Sequence, residues 1–374
     1  KGYGFIKYSE GEIFFHISAV IPASDKEKIA VDIEVEFMKG KVKDGRPAAK
    51  QVKVISRQSP VDEAATSKKL AQGHGSDPIN NNYCLPKDTR QTVDPEHIDN
   101  FSLMFNKAAY LENEDDKFIF YKRDRHGNES INLAKKFNSM AAKYTFIKLI
   151  HERHKDSISK LVNANNIKST IFSPDWRLIV GIGHESVYEI SITLHHIYGI
   201  PYIPGQAVKG ITRSWIITEV FGNDEGNKDK GALSDAVFCN IFGSPKKSAK
   251  GELQGSVMFF DAFPIAAPKL EVDIMNPHYG DYYQGKKPPA DYLKPIPIPF
   301  LTVTAAPFEF IIGSKNKINL DDYKSSKLYE KSSNKSTLLD ITIYWLNKAL
   351  TEHGIGAKTA VGYGYMELPK PTEV

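Results

Sequence analysis

The chain has 374 residues, 41% of them hydrophobic and 25% charged, and a formal net charge of +4. These proportions suit a globular protein with more than one core, and so small a positive excess permits a polyanionic partner without requiring one. Only Cys84 and Cys239 occur, which excludes a disulfide framework and a CxxC metal knuckle, and the lack of a long apolar run or signal-like segment predicts a cytoplasmic protein with no membrane partner.

Residues 1–56 read as a small β unit. KGYGFIKYSEGEIFFHISAV alternates about a Glu10-Gly11 turn and predicts a hairpin. Side chains two apart share a side of a strand, so Tyr3 pairs with Phe5 and Phe14 with His16. Flanked by Lys1 and Lys7, such rings form a stacking platform for single-stranded bases, each worth about 1 to 3 kcal/mol. Ile6, Ile13, Phe15 and Ile17 have the opposite parity and supply a core; the competing reading buries the rings themselves. The segment resembles a cold-shock domain: KGYGFI and EIFFHISAV match its two RNA-binding motifs, and IEVEFMKGKVKDGRPAAKQVKVI its last two strands with the basic turn around Gly45. The resemblance implies an all-β, OB-like barrel that binds single-stranded nucleic acid. That family's first strand would precede Lys1, and Ile17 stands where the family usually carries an aromatic.

Residues 57–100 are polar, rich in Gly, Ser, Asn and Pro, and without sustained period, which predicts a linker. From Phe101 to Phe172 the chain is denser, with a hairpin in IFYKRDRHGNESINL and one or two helices over Ala134–Val162. HERHK at His151–Lys155 lacks the HExxH spacing of a metal site.

Val187–Leu194 alternates as a strand and runs through His195 and His196 into YGIPYIPGQAVKGITR, Tyr198–Arg213. A turn at Gly205 then opens a helix with Val208, Ile211 and Trp215 on one stripe and Lys209 and Arg213 on another side. Free amides, the positive end of the helix dipole and two cations suit a phosphate chain, although an ordinary solvated basic face reads the same way. As strand neighbours, His195 and His196 would point to opposite faces, so they chelate no shared metal. Residues 222–255 read as a lysine-bearing surface insertion and 275–299 as a Pro- and Tyr-rich excursion. Strands are predicted at Gly255–Ile265 and Phe300–Ile312, and a helix at Ser336–His353 with Leu338, Ile341, Trp345 and Ala349 inward. GIGAKTAVGYG follows. Its glycines Gly354, Gly356, Gly362 and Gly364 surround one cation, Lys358, and let backbone approach a ligand closely. Neither GxxxxGK[ST] nor a strand followed by GxGxxG is present, so a polymeric phosphate fits better than a mononucleotide, and no cofactor is expected.

HESVYEISITLHHIYGIPYIPGQAVKGITRS, MNPHYGDYYQ with PPADYLKPIPIPFLTV, and GIGAKTAVGYG, in this order, resemble the small head-end RAMP subunit of the type III-B CRISPR (Cmr) effector complex. The likeness covers roughly Phe172–Leu368 and implies an α+β, ferredoxin-like domain related to the RRM, here over residues 101–374 with an N-terminal helical extension. It further implies a non-catalytic subunit that binds the 3′ part of a CRISPR guide RNA and caps the filament, with a backbone subunit and a neighbouring head subunit as partners and target RNA as a further one. By position the RNA-facing elements are the helix with Gly205, Lys209 and Arg213, and the loop with Gly354, Gly356, Lys358, Gly362 and Gly364. The alternative is a metal-independent endoribonuclease, for which His195, His196 and Tyr198 are the candidate acid and base groups.

Overall fold

The computed structural model describes residues 3–8, 11–20, 35–41, 47–54, 83–112, 117–124, 126–277, 295–315, 325–333 and 337–369, with single positions at 282, 285, 288, 323 and 335. Lys1, Gly45, most of the 57–100 segment and most of the 275–299 excursion lie outside the described residues. The chain divides into two compact units, Lys1–Pro78 and Ile79–Val374.

In the first unit β1 (Tyr3–Tyr8), β2 (Gly11–His16), β3 (Val35–Lys41) and β4 (Pro47–Val54) form one sheet in the order β1-β2-β4-β3. The hairpin register sets Tyr3 opposite His16 and Phe5 opposite Phe14, with Lys7 opposite Glu12. Ile13 and Phe15 are buried with Val20, Ala49 and Val52, and Ile6 packs on them, as the alternation predicts. Ile17 instead opens a 3-10 turn.

The second unit begins where linker was expected. Tyr83 bridges Tyr110 and the Cys84 N–H bonds to the Ala109 carbonyl, followed by α1 (Lys87–Thr92) and α2 (Phe101–Lys107). Asn100 is the N-cap of α2, accepting the Leu103 N–H. Two short hairpins follow, β5 (Tyr110–Glu112) with β6 (Lys117–Ile119) and β7 (Tyr121–Arg123) with β8 (Glu129–Asn132), then α3 (Leu133–Ala141) and α4 (Phe146–Leu161). Phe101, Met104, Phe105, Phe120 and Phe137 seat this extension in the main core.

The central sheet is built on β9 (Ile167–Pro174). The predicted strand at Val187–Leu194 does not form; only Leu194 makes a bridge, to Pro201. Tyr188, Ile190 and Ile192 are buried as the alternation required, but Ser191 and Thr193 are buried too, and Glu189 has φ 68, which a strand cannot accommodate. After α5 (Gly205–Phe221), the expected surface insertion contains α6 (Ala236–Phe242), a helix buried from Val237 to Phe242. Asp235 caps it through the Val237 and Phe238 amides and Gly243 ends it at φ 85. The pair β10 (Gly243–Ser244) and β11 (Leu253–Gln254) closes the insertion.

Gly255–Ile265 is two short strands, β12 (Val257–Phe259) and β13 (Phe263–Pro264). A further strand, β14 (Lys269–Met275), pairs with β15 (Ile298–Ala305). The single strand predicted over Phe300–Ile312 is broken at Pro307, where the chain leaves β15 and starts β16 (Phe308–Ser314) in the central sheet. Then come α7 (Lys327–Lys331), α8 (Leu338–Lys348) with a π turn at Ala349–His353, and β17 (Met366–Glu367). The sheet order is β12-β16-β9-β17, every pair antiparallel, with β13 also on β16.

Helix α8 and the π turn that continues it bury Leu338, Ile341, Trp345 and Ala349 as the spacing predicts. On α5 the fully buried stripe is Val208, Thr212, Ile216 and Val220 behind Gly205, while Ile211 and Trp215 are only half-buried at its margin. Even-numbered Phe308, Phe310 and Ile312 enter the main core, whereas Glu309 is buried beside α4, paired with His151 and with Lys155 at 3.1 Å. Burial pushes the Glu309 carboxyl up, but hydrogen bonds from His151, Ser169 and Lys155 outweigh it and hold the carboxyl below the usual glutamate range. A depressed acid stabilises the fold above the unfolded-state pKa and loses that contribution as pH falls through the folded-state value. Glu309→Gln is therefore expected to cost about 2 kcal/mol at neutral pH, with the gap from wild type closing at acid pH; urea titrations across pH check this, and a pH-independent gap contradicts it.

Candidate nucleic-acid interface

The start of α5 is not an open anion site. Asp261, in the turn between β12 and β13, already accepts the Gly205 N–H at 2.7 Å. A Cβ on Gly205 would stand 2.4 Å from the Phe259 carbonyl oxygen, so this glycine is required for helix-on-strand contact rather than for a ligand. Lys209, one turn on, is half-buried and pairs with no acidic side chain among the described residues. Arg213 is differently placed: its guanidinium bonds Glu225 at 2.5 Å and lies 5.3 Å from the Phe238 ring centre. The two expected partners in phosphate binding thus separate into an available lysine and an arginine engaged in folding the insertion.

Immediately before α5 the chain makes a tight turn. The His195 N–H bonds to the Ile200 carbonyl and the Gly199 N–H to the His195 carbonyl. Asn100 braces it, donating to the carbonyls of His196 and Ile197 at 2.9 and 2.8 Å. Because this is a turn and not a strand, His195 and His196 do not diverge. Their rings stack at 5.1 Å with 15° between planes, and His195 stacks on Tyr198 at 4.5 Å and 19°. Tyr202, Phe263 and His154 extend the cluster behind them. Burial lowers the His195 pKa, with the neighbouring His196 acting in the same direction and Asp261 opposing. His154 is lowered for the same first reason. The outer ring, His196, is exposed. Such a ladder offers π-faces shortly before the helix that carries Lys209, and ring faces with a cation are the elements that hold single-stranded nucleic acid.

The glycine loop is also spent internally along much of its length. Gly354, Gly356, Gly362 and Gly364 all have positive φ, as does Lys358 at 61°. The Ile355 N–H bonds to the Gly364 carbonyl, Ala357 to Ile179, and Gly364 to Arg177. Added Cβ atoms would meet backbone oxygen at 2.3 Å on Gly356 and 1.9 Å on Gly364, whereas Gly362 faces open space. Lys358 turns inward, 5.4 and 5.7 Å from the Phe300 and Tyr363 ring centres. Gly356 and the tip, Ala360 to Gly362, are the exposed positions of the loop, and of the glycines only Gly362 also has open space around its Cα to bring backbone to a ligand.

Of the other predicted positions, Phe14 is half-buried and His16 exposed, its Nδ1 sharing a hydrogen bond with the Ser18 hydroxyl at 2.8 Å. The HERHK residues have structural partners: His151 and Lys155 on Glu309, His154 edge-on to Phe263. Asn100, Tyr202, Asp261 and Phe263 were not singled out from sequence. Asn100 ahead of FSLMF is a readable N-cap, but its second role, across 96 residues, has no local signal.

Residues 177–367 match the family model of the RAMP superfamily, and residues 1–55 that of the 'Cold-shock' DNA-binding domain. The chain belongs to the RAMP superfamily. Within it the chain is of Cmr6 type: it is 35% identical over 263 residues to the CRISPR system Cmr subunit Cmr6 of Pyrococcus furiosus, spanning 58% of this chain and 72% of that one. It is 27% identical over 202 residues to the Cmr6 subunit of Saccharolobus solfataricus, covering 52% of this chain and 55% of that relative. Among solved structures, the Type III-B Cmr-beta bound to cognate target RNA aligns with TM-score 0.42 at 21% identity over 64% of this chain and 72% of the other. The crystal structure of Cmr6 from Pyrococcus furiosus aligns with TM-score 0.33 at 33% identity over 54% and 98%. The ring ladder, α5 and the glycine loop all lie inside the RAMP match, and the β1–β2 hairpin inside the cold-shock match.

Proposed function

We propose that this RAMP protein is a non-catalytic, guide-RNA-binding subunit of a type III-B CRISPR antiviral ribonucleoprotein. It caps the backbone filament near the guide 3′ end, between a backbone subunit and a neighbouring head subunit. The observation that carries the RNA reading is the exposed end of the His196–His195–Tyr198 ladder at the entrance to α5, with Lys209 one turn into that helix. Ring faces accept any base and lysine accepts any phosphate, so the site holds a strand without reading its sequence. Target choice is then left to base pairing by the guide. The β17-β9-β16-β12 order, with α5 after β9 and α8 after β16, supports a ferredoxin-like, RRM-related core, since βαββαβ domains interleave their strands in this way. The cold-shock unit adds single-strand affinity for the guide end or for target RNA.

An endoribonuclease needs a base at the 2′-hydroxyl and an acid at the leaving oxygen, in defined relation to each other. Face-to-face stacking turns the His195, His196 and Tyr198 rings parallel, which suits binding a base more than relaying a proton between them. Incubation of the full chain with repeat-containing single-stranded RNA tests both readings at once. Salt-sensitive binding with the RNA left intact is expected; cleavage lost in His195→Ala or His196→Ala establishes the enzyme instead.

A further inference from the structure

Trp176 is half exposed, at 50%, an unusual cost for the largest apolar side chain. It is not a loose surface ring. The residue before it donates its N–H to the Tyr365 carbonyl at 2.9 Å, and the residue after it accepts the Gly364 N–H at 2.7 Å, so the backbone on both sides is tied to the segment after the glycine loop. The indole rests on Tyr363 at 5.1 Å and has the Arg177 guanidinium 5.2 Å from its ring centre. Tyr363 is itself fixed by a 2.6 Å hydrogen bond to Asp273 and buried enough that its hydroxyl pKa is pushed up to about 12. Burial is the larger cause and the Asp273 bond the next. A rigid, exposed tryptophan loses little entropy when a partner covers it, the property of an interface anchor.

Charge decides what covers it. Arg177 is shared between Glu271 at 3.2 Å and Asp273 at 3.1 Å. Glu271 keeps 56% of its side chain exposed, and Asp175, next to the indole in sequence, is exposed and pairs with no described residue. Two carboxylates therefore stand against one guanidinium, Asp175 adds a third negative charge next along the chain, and the other nearby cation, Lys358, is folded over Phe300 and Tyr363. A phosphodiester strand would be repelled here, while a cation gains both the ring face and the carboxylates.

We infer that Trp176, with Asp175 and Glu271, forms a docking site for a basic protein segment that lays an arginine or lysine side chain on the indole. This site uses none of Lys209, His195, His196 or Tyr198 and does not depend on the guide-RNA reading.

The chain has three tryptophans; Trp345 is buried and Trp215 is stacked on His353, so Trp176 is the one a soluble ligand reaches most readily. Intrinsic fluorescence of the full chain can therefore be titrated with a short oligoarginine peptide, an oligoglutamate peptide and an oligouridylate. Saturable quenching by oligoarginine alone is expected, weakened about tenfold in Asp175→Asn/Glu271→Gln and lost in Trp176→Phe. The double variant keeps side-chain size, so it reads charge even if the phenylalanine loosens the Tyr363 contact. Quenching by oligouridylate at equal or lower concentration would make Trp176 a base-stacking residue and overturn the proposal. Equal oligoarginine quenching in all variants, or none in wild type, overturns it as well.

Discussion

Gly364→Ala is expected to lower the unfolding midpoint of the larger unit by about 6 to 12 °C, a cost of about 3 kcal/mol. Two effects add. The residue has φ +75, where an L side chain is strained, and its Cβ would stand 1.9 Å from the Ile355 carbonyl oxygen. That oxygen belongs to backbone and cannot swing away as a side-chain tip would. Relief requires opening the Ile355–Gly364 hydrogen bond, which also releases the Gly364 bond to Arg177 and the seat of Tyr363. Gly362→Ala is the control: its φ is +93 but nothing lies within 4 Å of the added carbon, so about 1 kcal/mol is expected. Thermal unfolding of the three proteins checks the pair. Equal shifts would mean that the loop is not closed on itself as described.

Lys209→Ala and Arg213→Ala are expected to act in opposite ways, although they occupy one helix a turn apart. Removing Lys209 should weaken binding of single-stranded RNA about tenfold, reduce the salt slope by about 1, and leave stability within about 0.5 kcal/mol. Removing Arg213 should cost about 1 to 2 kcal/mol of stability by freeing Glu225 and uncovering Phe238. Its effect on the salt slope should be the smaller of the two. Filter binding at several salt concentrations, alongside urea unfolding, separates them. Equal loss of RNA affinity with unchanged stability for both would restore the pair to a common phosphate-binding role.

The contrast shows what a local pattern can carry. Spacing placed α5, its Gly205 start and the inward stripe of α8, because helical period and turn chemistry are local. The β1–β2 register followed for the same reason, with Ile13 and Phe15 inward. Parity failed at Val187–Leu194, where the pattern was present but Glu189 turned the chain. The 222–255 stretch was misread because its glycines and lysines masked DAVFCNIFG, a run with an N-cap Asp and a terminal Gly that is legible on its own. Charge and glycine content suggested two open phosphate sites. Asp261, Glu225 and the Ile179, Arg177 and Gly364 carbonyls, distant in sequence from the groups they satisfy, turned most of that capacity inward. What remained outward, Lys209 and the His196 end of the ladder, is a property of tertiary structure.

The proposed role is to hold a CRISPR guide within a larger assembly. Its most direct test is affinity purification of the chain from its native host, with sequencing of the co-purifying RNA and identification of co-purifying proteins. A discrete set of repeat-derived guides together with other RAMP subunits is expected, with less guide retained at high salt by Lys209→Ala than by wild type. Mixed cellular RNA without partner subunits would contradict it and leave the cold-shock unit as the protein's main RNA-binding element.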